Sequence, residues 1–214
     1  MKQIIKHAEP TAFSNWKSSY PLAEYEDLND ERSFPGASAA KRALRMSLLS
    51  EQHGLCCYCE TRIDSGDFHI EHFRTKDRHR IPSFRHLQLD YVNLHACCRK
   101  DPPGVIDDYC GHKKRNVFDD RLVSPLETDC DSHFQYDADG HITGVDERGI
   151  LTVSILNLNS SLLIAKRKLI IEEFEDLNDE DYTIEINRHL DLTASIYGEF
   201  YSTIKYLHER GKLH

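Results

Sequence analysis

The chain has 214 residues, of which 39% are hydrophobic and 29% are charged, a balance typical of globular proteins with one or two domains. No segment approaches the roughly 20 apolar residues of a membrane-spanning helix. The first nine residues contain no apolar signal-peptide core, so we expect a cytoplasmic protein.

The formal net charge is −9, but residues 62–115 carry +3 and the rest of the chain carries −12. Positive charge is therefore concentrated in one region. A surplus of this size is small for binding a polyanion unaided, so a nucleic-acid enzyme with this composition would need help from a partner.

The N-terminal region, residues 1–54, predicts irregular chain followed by one helix. A stripe of alanine and leucine runs from Ser38 to His53, with Ser38 as the expected N-cap and Gly54 as the stop. Aromatic residues in the preceding irregular part are expected to anchor it to the core: Phe13, Trp16, Tyr20 and Tyr25.

The second region, residues 55–118, is rich in turns and contains six of the seven cysteines. Clustered cysteines in a reducing compartment more often bind metal than form disulfides. Cys56 and Cys59 form a Cys-x-x-Cys pair that can bind one tetrahedral Zn²⁺. The second pair comes from Cys97, Cys98 and Cys110, and spacing alone leaves open whether Cys97 or Cys98 is used. Small buried thiols are the simpler interpretation for Cys57, Cys97 and Cys130.

Between the cysteine pairs, residues 68–73 predict a short strand that carries Glu71 and His72. A carboxylate can bind a hard cation and an imidazole can act as a general base. Strand alternation would point the two side chains to opposite faces, so they share one site only if the strand ends or twists there. Asn93 can bond backbone and lock the loop, and His112 is held two residues after Cys110.

The third region, residues 119–214, predicts a short β-rich connector and a helical C-terminal part. Asp139-Gly140 is typical of a hairpin turn. From Gly149 onward the apolar spacing is helical, with a break near Asn157 and Asn159. Further helices are expected over Thr183–Leu190 and Thr193–His208.

Taken in order, the motifs are Cys-x-x-Cys, Glu-His-Phe, Asn-Leu with a cysteine five residues after the asparagine, and Cys-x-His-x-Lys. This order resembles the ββα-metal fold of HNH endonucleases. Residues 45–118 resemble in particular the HNH subunit of Septu-type and retron-associated anti-phage systems. The Leu156-Asn157-Leu158-Asn159 segment and Lys166-Arg167 add to that similarity.

The resemblance implies an α+β fold, with a zinc-stabilised HNH nuclease core at residues 55–118 embedded in a mainly helical chain. It implies His72 as general base, Glu71 and His112 as ligands of a catalytic Mg²⁺ or Mn²⁺, and Asn93 as the structural asparagine. The implied ligands of the structural Zn²⁺ are Cys56, Cys59, Cys98 and Cys110. Cys98 is preferred to Cys97 because it stands five residues after Asn93.

Two positions depart from the usual pattern. Glu71 stands where aspartate is commoner, and Gly111 stands where a histidine directly follows the last cysteine. The role of His112, one residue later, is therefore the least secure.

The resemblance implies hydrolysis of phosphodiester bonds, with DNA as the favoured substrate. Basic side chains near the site would contact the phosphate backbone, which positions a substrate but carries little sequence information. These residues are Arg74, Lys76, Arg78, Arg80, Lys113, Lys114 and Arg115. The implied partners are an ATPase subunit and, in retron systems, a reverse transcriptase and its DNA product.

Two other functions compete with this interpretation. A zinc-stabilised binding module for nucleic acid or protein would use the same cysteines without catalysis, but it leaves Glu71, His72, Asn93 and His112 unexplained. A zinc hydrolase or deaminase needs an open zinc position, which a four-cysteine site does not offer.

Overall fold

The computed structural model describes residues 1–76, 82–98 and 108–213, with the backbone only for 82–85. Helix α1 (Thr11–Ser19) lies in the N-terminal part that the sequence predicted to be irregular, and it buries two of the expected anchors, Phe13 and Trp16. Its helical pattern was missed because only two core-facing side chains mark its apolar face.

Helix α2 (Ala37–Glu51) confirms the helix predicted in this region. The expected N-cap at Ser38 is wrong, because the helix begins at Ala37 and its N-cap lies two residues before Ser38. Gly36 is the N-cap, with a left-handed φ of 90° that glycine adopts without steric cost. The Glu31 carboxylate accepts hydrogen bonds from the backbone N–H groups of Gly36 at 2.8 Å and Ser38 at 2.7 Å.

The cysteine-rich region contains an antiparallel pair of strands, β1 (Phe68–His72) and β2 (Leu94–Cys98). Their register places His69 opposite Cys97 and Glu71 opposite His95. Two 3₁₀ segments, Pro82–Leu89 and Tyr91–Asn93, precede β2. The short helix α3 (Cys110–Lys114) follows β2 in the described chain and contacts it.

A second antiparallel pair, β3 (Phe134–Tyr136) and β4 (Ile142–Gly144), confirms the hairpin predicted around Asp139-Gly140. Helices α4 (Glu147–Leu156) and α5 (Ser161–Glu175) follow, and the predicted break between them is confirmed. Asn157 lies at this break with a left-handed φ of 48°.

The C-terminal part contains α6 (Asp179–His189) and α7 (Tyr201–Glu209). The helix expected over Thr193–His208 is wrong in its first half, because the chain is in turns until Phe200. The backbone N–H groups of Tyr197 and Phe200 donate to the carbonyls of His53 and Glu60, not to helical partners. Tertiary contacts therefore override the local helical pattern there.

The C-terminal segment, residues 197–202, packs against the chain around the Cys-x-x-Cys turn. The Glu60 carbonyl accepts from Phe200 at 3.0 Å, and its carboxylate accepts from the Ser202 N–H at 2.7 Å. Arg62 donates its backbone N–H to the Glu199 carboxylate at 2.7 Å and its guanidinium to the Tyr197 carbonyl at 2.6 Å.

The main buried cluster draws side chains from all three sequence regions, so the cysteine-rich part shares its core with the rest of the chain. It includes Phe13, Leu44, Phe68, Leu94, Phe134 and Leu163. A smaller cluster joins α5, α6 and α7 through Ile171, Ile186 and Ile204. Among the described residues no single helix is long and apolar enough to cross a membrane, and α4 and α5 meet that test only together, as a pair bent by 108°.

Candidate functional site

Five cysteine thiols converge between the Cys-x-x-Cys turn, the end of β2 and the start of α3. The Cys56 Sγ lies 3.5 Å from the Sγ of Cys98, 3.8 Å from that of Cys97 and 4.0 Å from that of Cys110. The Cys59 Sγ lies 3.8 Å from the Sγ of Cys98. All five side chains are buried. They therefore form a cluster of soft metal ligands that is shielded from solvent.

These separations fit a tetrahedral metal centre. Four thiolates about 2.3 Å from one zinc ion are about 3.8 Å apart. The backbone N–H of Cys98 also points at the Cys56 Sγ, at 3.4 Å, as expected for a sulfur that carries negative charge. The cluster therefore could hold a metal such as zinc.

The geometry groups four of the five thiols, and this group differs from the implied zinc ligands at one position. Cys56, Cys97, Cys98 and Cys110 lie mutually within 4.8 Å, whereas the set implied by the resemblance has Cys59 in place of Cys97. Cys59 is placed by the turn it shares with Cys56, and its Sγ lies 3.1 Å from the Thr61 hydroxyl. Both sets contain Cys56, Cys98 and Cys110, and they differ only in Cys59 or Cys97 as the fourth ligand.

Beside the cysteines, β1 and α3 form the walls of an open cleft of about 450 Å³. Glu71 and His72 both line it, although they are adjacent on a strand. They share the cleft because β1 ends at His72, so the strand alternation stops there. The residues that line the cleft and bear on its chemistry are His69, Glu71, His72, Lys76, Gly111, His112 and Arg115.

Glu71 is a buried carboxylate with a lysine as its counter-charge. Lys114 Nζ lies 2.8 Å from Oε1, and the Tyr58 hydroxyl donates to the same oxygen at 3.2 Å. Burial alone would raise the pKa of Glu71, but the charge of Lys114 and hydrogen bonds from His69 and Lys114 outweigh it and lower that pKa. The carboxylate is therefore ionised at neutral pH, as a cation ligand must be.

His72 is buried, and its ring packs edge-on to Tyr25 with centroids 4.5 Å apart. Its Nε2 lies 3.0 Å from the Gln88 carbonyl oxygen. Because that oxygen can only accept, Nε2 carries the proton and the lone pair is on Nδ1. Burial lowers the pKa of His72 to about 4, so the ring is neutral at physiological pH.

Asn93 connects the end of β1 to the chain before β2. Its amide oxygen accepts from the Arg74 N–H at 2.8 Å, and its amide nitrogen donates to the carbonyls of Arg74 at 2.9 Å and Leu87 at 3.0 Å. Its own carbonyl accepts from the Phe73 N–H at 3.0 Å. These bonds fix the chain that immediately follows Glu71 and His72.

His112 lines the cleft from α3, and its ring lies 4.7 Å, between centroids, from that of His69 on β1. Helix α3 is bounded by two left-handed residues, Cys110 with φ 52° and Arg115 with φ 49°. Such conformations are costly for residues other than glycine. The position of His112 is therefore set closely by the cysteine cluster that precedes it.

The predicted phosphate-binding residues divide into two groups. Arg74, Lys113 and Arg115 are exposed, and Lys76 is half-buried in an ion pair with Glu26. Lys114 is fully buried and donates to Glu71 and, at 2.9 Å, to the His72 carbonyl, which does not fit a phosphate contact. Arg78 and Arg80 lie outside the described residues.

Three residues shape this cleft in ways that the sequence did not predict: Tyr58 and His69 were given no role, and Lys114 was given that of a phosphate contact. Lys114 supplies the counter-charge of Glu71, Tyr58 donates a hydrogen bond to Glu71, and His69 lies two residues before Glu71 on the same strand. His69 could have been found from the alternation of β1, since residues i and i+2 share a face. Nothing in the sequence marks the burial of Lys114.

No protein-family model matches the chain, but curated proteins of two kinds of bacterial system are similar to it. The chain is 30% identical over 144 residues to "Retron Vc95 putative HNH endonuclease" of Vibrio cholerae serotype O1 biovar El Tor, covering 62% of this chain and 65% of that protein. It is 28% identical over 101 residues to "Retron Ec83 putative HNH endonuclease" of Escherichia coli, covering 46% of this chain and 37% of that protein.

A third relative is "Septu protein PtuA" of Bacillus mycoides (strain KBAB4), 27% identical over 143 residues, which cover 58% of this chain and 20% of that protein. The chain thus spans less than two thirds of the length of each of these relatives. The resemblance to the HNH endonucleases of retrons and to a Septu protein is confirmed by these similarities.

Proposed function

We propose that this chain is a metal-dependent HNH endonuclease in which β1, β2 and α3 form the ββα-metal core. The observation that carries the proposal is that Glu71, His72 and His112 line one cleft. That cleft lies next to a buried thiol cluster with the separations of a tetrahedral zinc site. A binding module without catalysis would not need Glu71, His72 and His112 in one cleft.

The cysteine cluster would hold Zn²⁺ as a structural ion, with Cys56, Cys59, Cys98 and Cys110 as the ligands. Such an ion stabilises the fold and does no chemistry. It would fix Cys110, and through α3 it would fix His112 opposite β1. The cluster thereby sets the width of the cleft.

Glu71 and His112 would hold a catalytic Mg²⁺ or Mn²⁺, which when bound supplies positive charge to the phosphate and to the leaving oxygen. The donor set fits such an ion, because the carboxylate is ionised and the His112 imidazole lines the same cleft. Lys114 keeps one carboxylate oxygen occupied, at 2.8 Å, and leaves Oε2 toward His69 and Gly111.

His72 would act as the general base on a water molecule placed in line with the scissile phosphodiester. Its Nδ1 lone pair takes the proton while Nε2–H stays bonded to the Gln88 carbonyl. The hydroxide oxygen bonds to phosphorus, the bond from phosphorus to the 3′-oxygen breaks, and the departing oxygen takes a proton from solvent water. The products carry 5′-phosphate and 3′-hydroxyl ends, as the family resemblance implies.

DNA is the proposed substrate, held by Arg115 in the cleft and by the exposed Arg74 and Lys113, with Lys76 released from Glu26 on binding. A local surplus of +3 within a chain of net charge −9 gives weak electrostatic affinity. We therefore propose that the nuclease acts in the cytoplasm as the effector of an anti-phage defence system, beside an ATPase subunit. In a retron system a reverse transcriptase and its DNA product would also take part.

A nuclease assay separates this proposal from a non-catalytic zinc module. Purified chain, alone and with its co-expressed genomic neighbours, is incubated with double-stranded and single-stranded DNA in Mn²⁺, in Mg²⁺ and in EDTA. Cleavage that requires the divalent ion and leaves 5′-phosphate ends supports the proposal. Binding of DNA without cleavage in any of these conditions, by fully zinc-loaded protein with its partners present, contradicts it.

A further inference from the structure

We propose that His69 is a ligand of the catalytic divalent ion and occupies the space of the side chain that residue 111 lacks. The inference rests on the proposed function, because it concerns the ion bound by Glu71. It goes further by assigning a ligand on β1 that the family pattern does not supply.

The first observation is that His69 and Glu71 lie on one face of β1, two residues apart. The His69 Nε2 lies 3.4 Å from the Glu71 Oε2. Two ligand atoms that are each about 2.1 Å from one cation are separated by about 3.0 to 3.4 Å, for octahedral to tetrahedral angles. The pair is thus spaced for a shared ion, and 3.4 Å is long for a charged hydrogen bond.

The second observation concerns Gly111, the first residue of α3 after Cys110. A Cβ atom at position 111 would lie 2.5 Å from the Glu71 Oε2 and 2.7 Å from the His69 Nε2, closer than atoms can approach. A side chain at this position would therefore meet both Glu71 and His69. The glycine leaves room for the two side chains to approach each other over the start of α3.

The third observation is that the His69 ring is not committed elsewhere in the described part of the chain. Its Nδ1 is buried without a hydrogen-bond partner there, and its side chain is 28% exposed, on the cleft side. The His112 ring stands across the cleft with its centroid 4.7 Å away. His69, Glu71 and His112 together offer two imidazoles and one carboxylate.

Two imidazoles and one carboxylate should bind some divalent metal ions more tightly than others. Imidazole nitrogen suits transition metals, whereas Mg²⁺ prefers oxygen ligands and water. A site with two histidines should therefore bind Mn²⁺ more tightly than Mg²⁺, and removal of His69 should reduce that preference.

The test is a titration of Mn²⁺ and of Mg²⁺ into zinc-loaded protein, followed by calorimetry and by Mn²⁺ electron paramagnetic resonance. His69→Ala should weaken Mn²⁺ binding at least about tenfold, since even the loss of an outer-shell partner costs this much. The matched control is His141→Ala, a half-exposed histidine in the β3–β4 connection, which should bind as the wild type does. Zinc content and circular dichroism report whether each variant is folded.

The Glu71→Gln variant makes the test sharper, because it removes the carboxylate that would share the ion with His69 and should weaken Mn²⁺ binding too. If folded His69→Ala binds Mn²⁺ as tightly as wild type while Glu71→Gln does not, His69 is not a ligand. The same holds if wild type shows no site for Mn²⁺.

These outcomes are distinguishable from failure of the proposed function. Metal affinity is measured without substrate. If the chain binds Mn²⁺ through His69 but cleaves no DNA, the inference is supported and the proposed nuclease activity is contradicted. If the His69→Ala variant cleaves DNA and binds Mn²⁺ with unchanged affinity, the proposed nuclease activity is supported and the inference is contradicted.

Discussion

Lys114 Nζ lies 2.8 Å from the Glu71 Oε1, and the lysine side chain has 0% exposure to solvent. A lysine is rarely buried so completely without a charged partner. The pair joins α3 to β1 at the base of the cleft, and the same ammonium donates to the His72 carbonyl at 2.9 Å. One side chain thus fixes both residues of the Glu-His pair.

Lys114→Met should destabilise the fold by about 3–5 kcal/mol, because it leaves the Glu71 carboxylate buried without its counter-charge. Lys113→Met, at the exposed neighbouring position, should change stability by less than about 0.5 kcal/mol. Urea unfolding of the zinc-loaded proteins measures both. Equal stability of the two variants would show that the buried pair contributes nothing, and Glu71→Gln in the Lys114→Met background should recover part of the loss.

His72→Ala should reduce cleavage by about 10²- to 10⁴-fold, the usual contribution of a general base, while zinc content stays at the wild-type value. Single-turnover cleavage with saturating Mn²⁺ provides the rate, and His141→Ala serves as the control. Cleavage at the native rate by the folded variant would show that another group takes the proton.

Serine substitutions at Cys59 and Cys97 should decide the zinc ligand set. If the zinc is held by Cys56, Cys59, Cys98 and Cys110, Cys59→Ser loses zinc and unfolds the region, because metal binding and folding are coupled. Cys97→Ser then keeps one zinc ion per chain, as Cys57→Ser does. Atomic absorption of the purified proteins gives the stoichiometry, and the opposite result for the two variants would assign Cys97 instead of Cys59.

Acid should destabilise the C-terminal helices through His189. Burial lowers the pKa of His189 although its Nε2–H donates to the Glu199 carbonyl at 3.0 Å. Glu185 raises this pKa, while Arg188 and Arg62 lower it. Since the unfolded pKa is about 6.5, the stability that neutral His189 contributes is fully present above that pH and is lost as the pH falls below it.

His189→Gln keeps a donor for the Glu199 carbonyl and removes the titrating ring. Its free energy of unfolding should therefore fall less than that of wild type between about pH 7 and pH 5. Urea unfolding at the two pH values measures this difference. An identical fall in both proteins would show that His189 takes up no proton on unfolding in this range.

Local patterns in the sequence predicted the elements that depend on short-range chemistry. The strand with the Glu-His pair, helix α2, the Asp139-Gly140 hairpin and the break near Asn157 were all visible in the sequence. The convergence of the cysteines was predictable for a similar reason. A Cys-x-x-Cys turn together with a second pair of cysteines is typical of a metal site.

The features that could not be predicted depend on contacts between distant segments. The burial of Lys114 depends on where α3 lies against β1, and the turns before α7 depend on carbonyls of His53 and Glu60. The choice between Cys59 and Cys97 depends on how the thiols are arranged around one point in space. A single sequence contains no information on any of these distances.

The contact of residues 197–202 with the Cys-x-x-Cys turn also bears on the order of events during synthesis. The turn and its cysteines leave the ribosome well before their C-terminal partners, and synthesis proceeds at about 5–20 residues per second. Until Tyr197, Phe200 and Ser202 arrive, the backbone around His53 and Glu60 lacks the donors that it has in the complete fold. The surroundings of the Cys-x-x-Cys turn are therefore completed only late in translation.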